Sequence, residues 1–189
     1  MMEPRKKTLT VTIIRSAGDD SADTHHTRWF KQIWHDIEGD IPDRNEFRWA
    51  DPFARNCRIA KDFTNDLNPD TLATNNMDCL DFLRMLGNDA FDGVIFDPPF
   101  SDRMAKDHYD GFGVNLYSSD QKKLADCMVE IARILRPGGM LLKLGFNSNR
   151  PHKNFDLEKL WIINKGGYRN DTQISLWVNN MTSLLDFVE

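Results

Sequence analysis

Apolar residues along this chain follow two periods, and the switches between them outline its elements. Residues 8–15 (Thr-Leu-Thr-Val-Thr-Ile-Ile-Arg) alternate and are β-branched, the pattern of a strand. From residue 24 to 37 the period lengthens. Trp29, Phe30, Ile33, Trp34 and Ile37 recur at intervals of three and four, on one face of a helix that Gly39 and Pro42 end. Residues 46–51 predict a second strand, halted by Pro52. Weaker signals follow: a turn or two of helix over 57–63, short strands over 64–68 and 71–78, and a short helix carrying Leu80, Phe82, Leu83 and Leu86, closed by Gly87.

The strongest strand lies in Phe91-Asp-Gly-Val-Ile-Phe-Asp-Pro-Pro-Phe100. Val94, Ile95 and Phe96 form a continuous apolar run, as in a strand covered on both faces. Pro98 and Pro99 cannot continue a ladder, because they lack an N–H and their φ is fixed. Asp97 therefore stands at the carboxyl end of a central strand. A polar loop is predicted over 101–118, where Ser118 and Ser119 offer an N-cap. The next helix presents Leu124, Met128, Ile131 and Leu135, stopped by Pro137-Gly138-Gly139. A strand follows over 140–146. Residues 155–160 read as a turn of helix or a loop, and residues 161–164 and 173–178 as a hairpin around Gly166-Gly167. Strands alternating with helices make this an α/β chain with a mostly parallel sheet. At 189 residues one domain is expected, with residues 1–44 as an N-terminal strand and helix extension and no separate target-recognition domain.

Composition narrows this little. Hydrophobic content is 40% and charged content 28%, ordinary for a globular protein. No apolar run approaches a membrane span. Cys57, Cys79 and Cys127 have no metal-like spacing, the five His show no ligand pairing, and a reduced, cytoplasmic setting without a metal is expected. A net charge of −5 means that nucleic-acid binding would need a local basic patch, a partner or a dimer.

Four predicted strand ends carry an acidic residue: Asp51, Asp66, Asp78 and Asp97. In a doubly wound sheet such ends face one crevice. Asp66 could bind both hydroxyls of a ribose, because a carboxylate offers two acceptor oxygens. Asp78 could accept from an adenine amine, with Leu67 and Cys79 sandwiching the ring. Asp97, the carbonyls beside it and the Phe100 ring can converge on one small planar group.

On these residues the chain resembles a class I S-adenosylmethionine-dependent amino-methyltransferase, and most of all the small adenine-specific DNA methyltransferases of phage genomes. Asp97-Pro98-Pro99-Phe100 matches the family's catalytic motif. Asp51-Pro52-Phe53-Ala54 matches the start of its first motif, Asp66 its ribose position, Asp78-Cys79 its adenine site, and Leu135-Arg136-Pro137-Gly138-Gly139 a common signature. The match covers about residues 25 to 178. It implies a Rossmann-like fold with a seven-stranded, mostly parallel sheet and a C-terminal antiparallel hairpin. S-adenosyl-L-methionine would be the cofactor, and the helix with Thr27 and Arg28 would close over its methionine end. The acceptor would be the N6 amine of adenine in DNA. A ribosomal-RNA guanine-N2 methyltransferase and a catalytically silent binding module on the same scaffold are the alternatives.

The chain departs from the family at Arg55-Asn56-Cys57, where two glycines and a small residue are usual. Either the lost glycines weaken cofactor binding, or Arg55 contacts the cofactor carboxylate and Asn56 tolerates a left-handed φ. Arg103, Lys106, His108, Tyr109 and Asn115 make the 101–118 loop a candidate lid that touches nucleic acid. Arg169 and Asn170 at the hairpin tip are further candidates.

Overall fold

A computed structural model describes residues 9–16, 23–112, 120–166 and 170–181. Six strands form one mixed sheet: β1 (Thr10–Arg15), β2 (Trp49–Ala50), β3 (Phe91–Phe96), β4 (Leu135–Gly145), β5 (Phe155–Asn164) and β6 (Thr172–Asn179). Their spatial order is β1-β5-β6-β4-β3-β2. The central strands β2, β3 and β4 run parallel. β6 is antiparallel to both β4 and β5, and β1 is parallel to β5. Residues 155–160 belong to β5, not to a helix or loop. Phe155 and Trp161 are buried, which anchors both ends of that stretch in the sheet.

The sheet has six strands among the described residues rather than seven. Beyond β2 the expected strands over 64–68 and 71–78 shrink to two parallel bridges, Asp51–Thr64 and Asn65–Asn75. The reason is local. This stretch is rich in Asn and Thr, whose side chains compete for backbone partners. The Asn65 amide donates to the carbonyls of Pro52 and Met77, and its Oδ1 accepts from the Met77 amide. The Thr74 hydroxyl donates to the carbonyls of Asp62 and Thr64. Nor is there a helix over 57–63. Cys57, Lys61 and Phe63 each close a single turn onto the residue three before, and Lys61 takes a φ of 50° that breaks any helical run.

Four α-helices accompany the sheet among the described residues. α1 (Arg28–Gly39) buries Trp29, Phe30, Ile33 and Ile37 against Leu142, Leu144, Trp161, Ile163 and Ile174. α2 (Cys79–Met85) and α4 (Gln121–Ile134) pack on the opposite face, around Val94, Phe96, Leu141 and Trp177. α4 is capped by Asp120, whose carboxylate accepts from the Lys123 amide; Ser118 and Ser119 lie outside the described residues. α3 (Asp102–Tyr109) occupies what was expected to be a loop. Ser101 caps it, its hydroxyl accepting from the Met104 amide.

Three glycines position β3 and β4. A Cβ at Gly93 would stand 2.3 Å from the Trp49 ring, so β2 and β3 can lie this close only with glycine there. Gly138 has a φ of 79°, and a Cβ on Gly139 would meet the Arg136 carbonyl at 2.9 Å. The Pro-Gly-Gly signature is thus a tight irregularity near the start of β4, where its register with β3 shifts. Arg136 Nε is held there by Asp92 at 2.7 Å.

Candidate active site

The parallel order of β2, β3 and β4 brings the ends of β2 and β3 to one crevice. Its walls come from Asp51, Phe53, Ala54 and Arg55 after β2, and from Asp97, Pro98, Pro99 and Phe100 after β3. Thr24 and Phe30 face them from the N-terminal segment, and His108 and Tyr109 from α3. The space left between these groups is about 80 Å³. Ligand pockets run from roughly 300 to 1,000 Å³, so the crevice is closed in this conformation.

The charges inside are mostly negative. Asp51 is 3% exposed and Asp66 is fully buried. Burial pushes the Asp51 carboxyl well above the usual range, against the pull of the Phe53 amide that it accepts; the nearby Asp97 and Asp66 add to the rise. Burial also raises Asp66, although the amides of Asn68 and Arg55 donate to it. Asp97 is pushed up to about 6 by burial, against a hydrogen bond from Thr24 and the charges of Arg55 and Lys165. Two desolvated carboxylates in the crevice, Asp51 and Asp97, and a third beside it, Asp66, favour a ligand that brings positive charge or hydrogen-bond donors.

Arg55 stands where the related motifs have glycine, and it adopts the left-handed conformation that glycine would supply, with a φ of 47°. Asn56 does not carry that conformation. Its amide nitrogen donates to Asp23 and its carbonyl oxygen accepts from the Leu72 amide, tying two loops together. The Arg55 guanidinium reaches Asp23 at 3.2 Å and His108 Nδ1 at 3.3 Å, across the mouth of the crevice.

α3 divides the residues expected to touch nucleic acid. Arg103 and Lys106 point to solvent, Arg103 beside Asp107 at 3.7 Å. His108 and Tyr109 turn inward instead. Tyr109 is 6% exposed, burial raises its phenol pKa, and its hydroxyl donates to Asp66 at 3.4 Å. A helix replaces the loop because Met104, Ala105, His108 and Tyr109 recur at helical spacing and give α3 an inner face. Asn170 is exposed; Asn115 and Arg169 lie outside the described residues.

Other expected cofactor contacts are engaged elsewhere. Thr27 caps α1: its hydroxyl accepts from the Phe30 amide and donates to the Thr24 carbonyl. Arg28 opens the same helix and is not in the crevice wall. Asp78 caps α2 through the Leu80 amide and pairs with Lys123 on α4. Cys79 is buried in the core, 3.7 Å from Cys127. Leu67, next to Asp66, is only partly buried. Sequence reasoning missed Thr24, Lys165 and Asp23 as groups around Asp97 and Arg55, and Lys123 as the partner of Asp78. None carries a motif; each is brought in by folding across 32 residues or more. No helix among the described residues is long and apolar enough to cross a membrane.

No family model matches the sequence, and neither does any curated protein. Solved structures do. The yhhF protein of Escherichia coli, assigned as a methyltransferase, superposes with a TM-score of 0.55 at 10% identity, covering 82% of this chain and 86% of that one. TrmN from Thermus thermophilus gives 0.50 at 15% identity over 81% of this chain and 49% of its own. The 1,6-didemethyltoxoflavin-N1-methyltransferase of Burkholderia thailandensis, solved with S-adenosylhomocysteine, gives 0.50 at 12% identity, covering 82% and 78%. The mixed, mostly parallel sheet with its antiparallel β5–β6 pair is the Rossmann-like methyltransferase fold.

Proposed function

We propose that this protein transfers a methyl group from S-adenosylmethionine to the exocyclic amine of a nucleobase, with adenine N6 in DNA as the acceptor. The observation that carries the reading is the placement of Asp97-Pro98-Pro99-Phe100 at the end of β3, in one crevice with Asp51 and beside the buried Asp66.

The crevice suits the cofactor in charge. Asp51 and Asp66 are desolvated carboxylates, matched to the ammonium and ribose hydroxyls of S-adenosylmethionine, while Phe53 and Ala54 give it an apolar wall. It does not suit it in size until Arg55 and Tyr109 withdraw. The adenosine half is therefore created by opening, with Asp66 uncovered as Tyr109 leaves. The fold neighbour solved with S-adenosylhomocysteine is in keeping with this cofactor.

When bound, the cofactor supplies an electrophilic methyl. The chain supplies orientation. An exocyclic amine is a poor nucleophile, because its lone pair is delocalised into the ring. The Asp97 carboxylate and the Pro98 carbonyl accept its two N–H groups. This favours a pyramidal nitrogen with its lone pair aimed at the methyl. Phe100 stacks on the base. As the new N–C bond forms and the methyl–sulfur bond breaks, its electron pair staying on the departing thioether S-adenosylhomocysteine, the nitrogen sheds one proton, and Asp97, raised to about 6, can receive it. In a duplex the base must first be flipped out.

A second reading, a silent binding module, is favoured by one observation: Arg55 and Tyr109 fill the cofactor side. Incubation of pure protein with labelled S-adenosylmethionine and a panel of DNAs and RNAs, followed by nucleoside mass spectrometry, separates the readings. N6-methyladenine in DNA is expected. Label in RNA guanine alone would point to the ribosomal-RNA alternative. No label in any nucleic acid, with no cofactor binding by calorimetry, would leave the silent module.

A further inference from the structure

A second cavity adjoins the crevice on the other side of Pro98-Pro99-Phe100. It has a volume of about 340 Å³ and opens between the end of β4, the turn after it and the flank of α4. That is already within the range of ligand pockets, roughly 300 to 1,000 Å³. Its charged lining is distinctive. This protein has 29 acidic residues and 24 basic ones, yet among the described residues the cavity is lined by Lys143 and Arg150 and by no carboxylate.

Lys143 is the telling group. It projects from β4 into the cavity, and its ammonium donates to the backbone and side-chain oxygens of Asn147 at 3.2 and 3.3 Å. Both partners are neutral. Burial lowers the Lys143 pKa, and among the described residues no nearby carboxylate offsets it. An ammonium has three N–H donors, so one remains for a ligand. A partly desolvated cation without a counter-charge is stabilised by an anion. Arg150 is more committed, with Nε on the Phe155 carbonyl and one Nη on Asp156, and it borders the site rather than forming it.

The other walls are flat and apolar. Phe100 and Phe146 meet edge to face, with centroids 5.1 Å apart. Phe146 is 39% exposed, so part of its ring is available for stacking. Pro98 and Pro99 form the partition from the crevice. A cation beside aromatic and prolyl surfaces is the arrangement that takes a phosphate together with a base.

We propose that this cavity binds the nucleotide adjoining the acceptor in the same strand, with its phosphate on Lys143 and its base against Phe146. The assignment rests on the nucleic-acid reading above. It extends that reading by giving the protein a means of holding the strand beside the flipped base. Because Phe100 borders both cavities, a nucleotide seated here would also brace the ring that stacks on the acceptor.

The test is direct binding, independent of methyl transfer. Wild-type protein is titrated by calorimetry with deoxyadenosine, dAMP and the phosphorylated dinucleotide d(pApA). We expect dAMP to bind at least about tenfold more tightly than deoxyadenosine, and the dinucleotide more tightly still. In Lys143→Met the preference for dAMP over deoxyadenosine should fall to within about twofold. Phe146→Ala, at an exposed position that does not threaten folding, should weaken all three ligands by a similar factor and keep the phosphate preference. Equal binding of dAMP and deoxyadenosine to the wild type, or an undiminished preference in a folded Lys143→Met, would overturn the site. Equal binding of dAMP and the dinucleotide would assign it to a free nucleotide and overturn the strand assignment. Lys143-dependent binding without transfer to any nucleic acid would refute the methyltransferase reading alone, whereas transfer with no phosphate preference would refute this inference alone.

Discussion

The Tyr109 hydroxyl donates to the Asp66 carboxylate at 3.4 Å, joining α3 to the end of a strand remnant 43 residues earlier. Asp66 is fully buried, and in the proposed reading it is the carboxylate that takes the ribose hydroxyls. The closed crevice therefore keeps that acid satisfied with an internal donor, and a cofactor would have to displace it. A net hydrogen bond is worth about 1 kcal/mol, or about fivefold in affinity.

Tyr109→Phe should therefore raise S-adenosylmethionine affinity by about fivefold while lowering stability by about 1 kcal/mol. Calorimetry and urea denaturation measure the two. A loss of affinity would make Tyr109 part of the binding surface instead of its plug.

Arg55 separates backbone strain from side-chain contact. At a φ of 47° a side chain is strained by about 1 kcal/mol relative to glycine. Its guanidinium offsets this through Asp23 and His108. Arg55→Gly loses the contacts and the strain together and should stay within about 1 kcal/mol of wild type. Arg55→Ala loses the contacts and keeps the strain, so it should unfold about 1 kcal/mol more easily than the glycine variant. Equal midpoints for the two would show that the backbone is not strained there.

In the proposed mechanism transfer needs an ionised Asp97 as acceptor, so kcat should rise with pH through about 6 and then level off. Stability moves the other way. Asp97 titrates higher in the folded protein than in the unfolded chain. Its favourable contribution is present below about pH 4 and is lost as pH rises through about 6. Asp97→Asn should thus be more stable than wild type at pH 7, by at most about 3 kcal/mol because part of the group faces the cavity. Asp97→Ala should abolish transfer and keep the fold; full activity in that variant would remove Asp97 from catalysis.

Gly93→Ala tests the seating of the central strand. The added methyl would collide with the Trp49 ring, which is 5% exposed and packed against Trp34 and Phe47. Overpacking of this kind costs about 1–3 kcal/mol. A melting temperature unchanged from wild type would mean that β2 can shift at little cost.

Asp78 and Lys123 hold α2 to α4 in a pair whose side chains are 11% and 16% exposed. Lys123→Met should destabilise the protein by about 1–3 kcal/mol, less than a fully buried pair because both ends touch solvent. It should also free one Asp78 oxygen for an adenine amine. Urea denaturation reads the first effect, and cofactor calorimetry reads the second.

The α/β class, the helical face of Trp29, Phe30, Ile33 and Ile37, the buried strand Phe91–Phe96 and the acidic corner at Asp97 were all legible from the chain alone. Each depends on local periodicity or on the backbone limits of proline, which neighbours in sequence are enough to reveal. Folding decided the rest. Whether residues 64–68 and 71–78 pair as strands depended on Asn65 and Thr74 claiming backbone groups up to 13 residues away. Whether residues 102–109 form a helix depended on the crevice that Met104, His108 and Tyr109 could line. Above all, a carboxylate's partner is set by which side chain arrives beside it in space. Tyr109 on Asp66 and Lys123 on Asp78 come from positions more than 40 residues distant, and no spacing in the chain encodes them.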